Sequence, residues 1–269
     1  MQTLRARDVL RCILQNVPKG PNLACPSQCL TGDKPVSNPI LWKETLAQRR
    51  ERVTVASWDG SRLAGLASAR IRSGQRAWEV DRLFLACDAG DLLTGVEPFS
   101  SAPINRKGHV QQTNANPNLV ALELLEQIVR EAGHRRAERI FLRVSTKSRI
   151  FLLARQAGFF PYYEENLLES STPLELQTGA MITESWSEAA PEDAFSLFQL
   201  YCAATPQSVR AAVGMYFDQW QDSLEPLAHR QTWISKVDGK VLASSRLSRR
   251  GQVEVGGVLA HPDNPELWE

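Results

Sequence analysis

The alternation of apolar and polar residues is clearest between Asn118 and Glu169, where a helical period gives way to an extended one. From Leu119 to Ala132, apolar residues recur every three or four positions, which predicts an amphipathic helix. Its apolar stripe consists of Leu119, Leu122, Leu125, Ile128, Val129 and Ala132. Gly133 and His134 interrupt this stripe, so the helix is predicted to end there.

Three further elements complete this stretch. Glu138 to Ser145 contains a nearly continuous apolar run, which is typical of a strand covered on both faces. Lys147 to Ala157 is predicted to form a second helix that ends at Gly158, and Phe159 to Leu168 returns to extended character. The predicted order is therefore helix, buried strand, helix, Gly-Phe and strand.

A three-stranded antiparallel meander is predicted before this stretch. Arg52 to Ser57 and Arg62 to Arg72 are joined by an Asp-Gly turn, and Arg76 to Ala86 follows a second glycine-containing turn. Strict alternation divides the third strand into two faces. One face would hold Glu79, Asp81, Leu83 and Leu85, and the other would hold Trp78, Val80, Arg82 and Phe84.

The regions that flank the meander are harder to assign. A short strand (Gln2 to Leu4) and two helices (Ala6 to Asn16 and Ser37 to Arg50) are predicted before it. Cys87 to Pro117 has no convincing period, and a loop of this length is either a functional lid or an insertion.

The end of this loop has the features of a helix start. Asn116 suits the cap and Pro117 suits the first helical position. The amides of Asn118, Leu119 and Val120 are therefore expected to point outward.

The second half of the chain repeats the order of the first. Helices are predicted at Pro191 to Ala203 and Pro206 to Trp220, and strands at Thr232 to Val237, Lys240 to Leu247 and Gln252 to Leu259. The pairs Gly60/Gly239, Gly74/Gly251 and Glu79/Glu254 are 179, 177 and 175 residues apart. This near-constant offset predicts a duplicated domain. We expect one domain at 1–170, a linker at 171–179 and a partial second copy at 180–269.

Charge and composition narrow the classes of partner. The net charge of +1 indicates neither a nucleic-acid nor a membrane-surface partner, and no apolar run is long enough to span a bilayer. The N-terminus lacks the features of a signal peptide. Five scattered cysteines favour a reduced, cytoplasmic location. Cys25 and Cys29 have no matching Cys/His pair, so no metal is expected. The oligomeric state stays open.

The order of elements resembles the GNAT N-acetyltransferase superfamily. Three segments carry the resemblance: LELLEQIVREAG (Leu122 to Gly133), RIFLRVS (Arg139 to Ser145) and ARQAGFFPYYEE (Ala154 to Glu165). They are similar to the family's central helix, its fifth strand, and its fourth helix with a Gly-Phe ending. The resemblance covers about residues 50–169, and more weakly 180–262. It implies an α/β (α+β) fold with a mixed, mostly antiparallel sheet flanked by helices, followed by a partial second copy.

The resemblance also implies a co-substrate and a site. In the family, acetyl-CoA or another acyl-CoA lies between the diverging fourth and fifth strands, and a glycine-rich loop before the central helix holds its pyrophosphate. This sequence has no glycine between Gly108 and that helix, and Ala154 stands where many members have a tyrosine. The positions that correspond to the cofactor site are Leu83, Phe84, Leu85, Asn116, Asn118, Leu119, Val120, Arg149 and Arg155.

Two pairs of residues are candidates for acid–base chemistry. Glu79 and Asp81 are candidate general bases toward the incoming amine, or else form a solvated strand face or salt bridges to Arg82 or Arg70. Tyr162 and Tyr163 are candidate acids toward the leaving thiolate, or else pack in the core. The loop residues Arg106, Lys107 and His109 either contact nucleotide phosphates or are simply solvated.

Three functions are compatible with these residues. The first is an N-acyltransferase that transfers an acyl group from acyl-CoA to an amine of a small-molecule or peptide acceptor. The second is a non-catalytic GNAT-like protein that serves binding or assembly. The third, ranked below both, is a small-molecule sensor with a similar α/β layout.

Overall fold

A computed structural model describes residues 2–3, 22–24, 50–86, 116–166, 186–225, 230–250 and 253–264. The chain divides into two units, Met1–Phe160 and Pro161–Glu269, and each is described on its own. The two predicted helices before residue 50, nearly all of the 87–117 loop and the predicted linker lie outside the described residues. Within the described residues the fold is mixed α/β, with mostly antiparallel sheets and helices beside them, as predicted.

The first unit is built on a sheet of five described strands. In spatial order these are β1 (Gln2–Thr3), β2 (Arg52–Asp59), β3 (Arg62–Ile71), β4 (Ala77–Leu85) and β5 (Arg139–Leu142). All neighbours are antiparallel except β4 and β5, which are parallel. The predicted meander is confirmed, and Gly60 has the positive φ of 58° that its hairpin turn requires.

Alternation along the meander separates an apolar face from a polar one. The apolar face includes Val53, Val55, Ala67, Ala69, Trp78 and Val80, all in the buried core of this unit. The intervening residues, among them Arg52, Ser68, Arg70 and Glu79, point to the opposite face. The sheet therefore has one apolar face against which helices pack and one face that carries charged side chains.

A β-bulge in β4 changes which residues share a face. The register with β3 skips Asp81, which is inserted between Val80 and Arg82. Beyond the bulge the alternation is reversed, so Leu83 and Leu85 face the core with the apolar residues that precede it. The predicted grouping of these two leucines with the acidic residues is wrong for this reason.

Two helices cover the apolar face: α1 (Pro117–His134) and α2 (Arg149–Gln156). The buried residues of α1 are Val120, Ala121, Leu124, Leu125, Ile128 and Ala132. The predicted stripe lay to one side of this face, since Leu119 is 54% exposed. Gly133 and His134 also do not interrupt the helix, which includes both.

Two expectations for the following strands need correction. β5 was expected to be covered on both faces, but it is the last strand of the described sheet, and Phe141 is its only buried residue. A strand is expected to begin at Phe159, but residues 159–166 form none. The run after Gly-Phe therefore does not extend the described sheet.

The Gly-Phe ending of α2 is a Schellman motif. Gly158 has φ 94°, and its amide donates to Arg155 O while the Phe159 amide donates to Ala154 O, at 3.1 and 2.9 Å. Phe159 packs against the core, which holds the chain in this reversal. The predicted end of this helix is confirmed.

Substitution of two glycines by alanine should have opposite effects on stability. At Gly158, alanine meets no atom within 4 Å, so its cost is that of a positive φ, about 1 kcal/mol. At Gly133, inside α1, alanine also meets no atom within 4 Å and should stabilise by about 0.5 kcal/mol. Urea denaturation of both variants checks this pair; equal effects would contradict the assigned backbone geometry.

The second unit has a four-stranded antiparallel sheet in its described part. Its elements in chain order are β6 (Trp186–Glu188), α3 (Ala194–Ala204), α4 (Gln207–Val213), α5 (Phe217–Ser223), β7 (Arg230–Val237), β8 (Lys240–Arg250) and β9 (Val253–Ala260). The single helix expected from Pro206 to Trp220 is instead two helices that break at Gly214. A core centred on Leu200, Trp220 and Ile234 lies between helices and sheet.

The first hairpins of the two units share one irregularity. In each, a residue of the second strand is skipped, Ala64 in β3 and Leu242 in β8, and these positions are 178 residues apart. Their carbonyls accept hydrogen bonds from the residues just after the third strands, Ala86 and His261. The bulge at Asp81 has no counterpart in the ladder of β8 and β9.

An ion pair in the second unit should make its stability depend on pH. Asp193 accepts from Lys236 Nζ at 2.7 Å and from the Ala190 amide at 3.0 Å, and these bonds lower the pKa of Asp193, the lysine bond most. A lowered carboxyl pKa contributes stability above the unfolded pKa of 3.8 that is lost as pH falls through the folded value.

Lys236→Met should reduce the loss of stability that occurs as the pH falls through the folded pKa of Asp193. Because the lysine is 39% exposed, solvent screens the pair, and the difference between the variants should stay below about 1 kcal/mol. Thermal unfolding of both proteins at neutral pH and near pH 3 measures it. Identical pH profiles would contradict the assigned role of the pair.

Candidate functional site

The pairing of β4 and β5 ends at the place where the resemblance puts a ligand. They pair in parallel over four residues each, from Ala77 opposite Arg139 to Val80 opposite Leu142. β5 ends there, but β4 continues to Leu85. The last residues of β4 therefore have an edge that β5 does not cover.

Residues 22–24 are bonded to this edge. The Asn22 side chain donates from Nδ2 to Asp81 O and accepts at Oδ1 from the Leu83 amide, both at 2.8 Å. The Leu23 amide donates to Leu83 O, also at 2.8 Å. Because Leu83 turns both its N–H and its C=O to these residues, the bonds lie on the edge away from β3.

The contact is buried as well as hydrogen-bonded. Leu23 and Ala24 are 6% and 0% exposed and belong to the core of the first unit. Asn22 Oδ1 also accepts from the Ala24 amide at 3.2 Å, which holds the three residues in a compact turn. Of the cofactor positions expected on β4, Leu83 is thus engaged through its backbone, and the side chains of Leu83, Phe84 and Leu85 are all buried.

Glu79 and Asp81 lie in an ion-pair network on the polar face of the sheet. Their side chains are 3% and 7% exposed. Asp81 pairs with Arg52 Nη1 at 2.8 Å, and Glu79 pairs with Arg70 Nη2 at 3.2 Å and Arg72 Nη2 at 3.5 Å. Arg70 Nε also lies 3.8 Å from Asp81 Oδ2, so it bridges both carboxylates. Three guanidinium groups therefore surround two carboxylates.

Further contacts hold the arginines in place. Arg52 Nη1 donates to Ser68 Oγ at 2.8 Å, and the Arg72 guanidinium stacks 4.0 Å from the Phe141 ring centroid. Arg135, after α1, donates to Arg52 O at 2.8 Å. Burial lowers the pKa of Arg135, against the opposing effect of Glu131. The network therefore contacts β5 through Phe141 and the end of α1 through Arg135.

The start of α1 differs from the expected open helix end. The Asn118 amide donates to Asn116 Oδ1 at 3.0 Å, and the Val120 amide donates to Asn116 O at 3.0 Å. Asn116 caps the helix as predicted. Two of the three amides expected to point outward, those of Asn118 and Val120, are thus already bonded, and that expectation is wrong for them.

The remaining candidates lie on α2 and in the segment that follows it. Arg149 is half-buried at the start of α2 and Arg155 is exposed in its last turn. Tyr162 is half-buried and Tyr163 is 62% exposed, and both lie in the second unit, beyond the end of the first at Phe160. Ala154 is buried in the first core.

In the described conformation, other residues of the chain occupy part of the position expected for acyl-CoA. The resemblance places acyl-CoA between β4 and β5, and Asn22 and Leu23 bond to the β4 edge there. A phosphate at α1 would compete with the Asn116 side chain for the Asn118 amide. The candidate phosphate contacts Arg106, Lys107 and His109 lie outside the described residues.

Sequence reasoning missed three residues that define this site. Asn22 carried no signal, because it stands in a Pro- and Gly-containing segment 61 positions before its partner Leu83. Arg52 could have been found from the meander register, which pairs Arg52 with Arg70 and Arg70 with Glu79. Arg72 directly follows β3, outside this register. Arg70, named as a salt-bridge alternative, does contact both carboxylates.

The described residues include neither a cluster of candidate metal ligands nor a helix suited to span a membrane. No group of three or more His, Cys, Asp or Glu side chains there could hold a metal ion. No helix there combines the length and apolar character needed to cross a bilayer. Cys25 and Cys29 lie outside the described residues.

Comparison with known proteins gives little support for any assignment. No protein-family model and no curated protein matches the chain. Among solved structures, one similar chain is described as the crystal structure of a probable acetyltransferase, at 16% identity and a TM-score of 0.36. The similarity covers 64% of this chain and 100% of that one. A likeness at this level decides neither fold family nor activity.

Proposed function

We propose that the chain is a non-catalytic binding or assembly protein built on a GNAT-like sheet. The observation that carries this proposal is the filled edge of β4, where Asn22 and Leu23 take the backbone groups of Asp81 and Leu83. An acyl-CoA arm and this segment cannot both accept from the Leu83 N–H, which has one hydrogen to donate and already donates it to Asn22 Oδ1. The unit therefore keeps the sheet of an acyltransferase without its ligand site.

The state of the acidic pair supports the same proposal. A general base must reach the proton that it removes, but Glu79 and Asp81 are buried and directed at guanidinium groups. Ala154 offers no hydroxyl for a leaving thiolate. Binding or assembly requires none of these groups.

The shared hairpin irregularity supports a tandem arrangement. Skipped residues at the same place in β3 and β8 are features that a duplication would preserve. We therefore propose that the second unit is a partial copy of the first. The missing bulge in β9 indicates that the copies have diverged at the position of the candidate site.

An N-acyltransferase is the second candidate, and one observation favours it. The parallel pairing of β4 and β5 stops while β4 continues, which is the arrangement that the resemblance associates with acyl-CoA. In this case Glu79 or Asp81 would accept the amine proton, and Tyr162 or Tyr163 would protonate the thiolate. The acceptor would be a small-molecule or peptide amine.

Isothermal titration of the full chain with acetyl-CoA separates the two candidates. The proposal predicts no heat beyond dilution and no thermal stabilisation at millimolar ligand. An acetyltransferase of known activity, titrated in the same buffer, is the positive control. Saturable binding of acetyl-CoA by the chain, with thioester consumption when amines are added, would establish the enzyme instead.

A further inference from the structure

We propose that residues Asn22–Ala24 are an intramolecular ligand that closes an amide-binding edge of β4, and that releasing them restores binding of an extended, amide-bearing molecule. This inference rests on the proposed function and deepens it, because it states what prevents acyl-CoA from binding. It concerns a contact between two described parts of the first unit.

The hydrogen-bond pattern defines the chemistry of the edge. Asp81 O, Leu83 N and Leu83 O present acceptor, donor and acceptor in sequence. Asn22 donates from Nδ2 to Asp81 O and accepts at Oδ1 from the Leu83 amide. The Leu23 amide is the second donor and bonds to Leu83 O. The Asn22 carboxamide therefore imitates one peptide group of an added strand.

This pattern specifies a class of ligand. A complementary molecule needs secondary amides spaced along an extended chain, as found in the pantetheine arm of coenzyme A. A ligand of that kind would compete with Asn22 for the Leu83 N–H and with Leu23 for the Leu83 C=O. Because an intramolecular segment is present at high effective concentration, it excludes a free ligand of moderate affinity.

Burial explains why the segment stays in place. Leu23 and Ala24 are held in the core, so the edge is covered by apolar contact as well as by hydrogen bonds. Asn22 itself is only half-buried and does not belong to this core. Its replacement therefore weakens the strand-like contact without opening a core cavity.

The test compares Asn22→Ala with wild type by titration with coenzyme A. Asn166→Ala, which truncates an exposed asparagine in the same chain, is the matched control. In Asn22→Ala, the Leu83 amide should exchange with solvent roughly 10–100-fold faster, because its acceptor is gone. Coenzyme A should bind at least about 10-fold more tightly than to wild type or the control.

The outcomes separate this inference from the proposed function. Binding to Asn22→Ala alone supports both. Equal binding to wild type and Asn22→Ala overturns both, whereas no binding to either protein overturns only the closing role of residues 22–24.

A second variant covers the case in which Asn22→Ala does not fold. Asn22→Asp keeps an acceptor for the Leu83 amide but sets a carboxylate oxygen against Asp81 O. Its affinity for coenzyme A should exceed that of wild type. Binding of coenzyme A no tighter than to wild type would then overturn the inference.

Discussion

Replacing Glu79 by Gln is expected to lower the free energy of unfolding of the first unit by about 3 kcal/mol. The Glu79 side chain is 3% exposed and receives two guanidinium groups, those of Arg70 and Arg72. A neutral amide leaves these buried cations with less compensating charge, and Asp81 as the remaining carboxylate of the network. Removing one partner of a buried pair costs far more than the pair itself contributes.

Urea denaturation of the full chain measures this effect, and amide exchange in β4 assigns the transition to the first unit. Glu126→Gln is the control, since Glu126 is exposed on α1 and its change should stay within about 0.5 kcal/mol. If Glu79→Gln is as stable as the control, the ion pairs contribute nothing.

Gly214→Ala is expected to destabilise the second unit by about 3 kcal/mol, through a steric clash. A Cβ at this position would lie 2.5 Å from Trp220 N, 2.7 Å from Gln219 C and 2.8 Å from Trp220 Cα. These are backbone atoms in the middle of α5, so they cannot rotate away as a side chain would. Trp220 is also buried, and moving its backbone disturbs the core.

Gly257→Ala provides the matched control in the same unit. A Cβ at Gly257 would meet no atom within 4 Å, and the residue lies in β9. Differential scanning calorimetry should show a transition lowered by roughly 10 °C or more for Gly214→Ala and nearly unchanged for Gly257→Ala. Equal transitions would mean that α4 and α5 are not joined through this close approach.

The elements that sequence reasoning predicted well are those with local causes. The three strands of the meander follow from alternation and from turn residues such as Gly60, which needs a positive φ. The end of α2 follows from Gly158, because a glycine can adopt the reversed conformation of a helix end. In both places the determining residue lies within the element itself.

The features that were missed depend on distant or ambiguous contacts. Nothing in the run AWEVDRLFL distinguishes a regular strand from one with a bulge at Asp81, because both registers bury mostly apolar residues. The break at Gly214 arises where the backbone of Trp220 approaches it. Both features depend on how other segments of the same chain pack against these residues, so they cannot be recognised from the local sequence.

The candidate site was predicted only in outline. The acidic pair, its Arg70 partner and the cap at Asn116 were identified from spacing and residue type. The contact of Asn22 with β4 was not, because a side-chain amide that imitates a strand has no sequence pattern. That single contact changes the site from an open edge to a closed one.

Amide hydrogen exchange of Leu83 in the wild-type chain tests the central claim most directly. If Asn22 and Leu23 fill the β4 edge, the Leu83 amide should be as protected as the amides between β3 and β4, and millimolar coenzyme A should leave its exchange unchanged. Rapid exchange in the free chain, slowed when coenzyme A is added, would show an open edge and contradict the account.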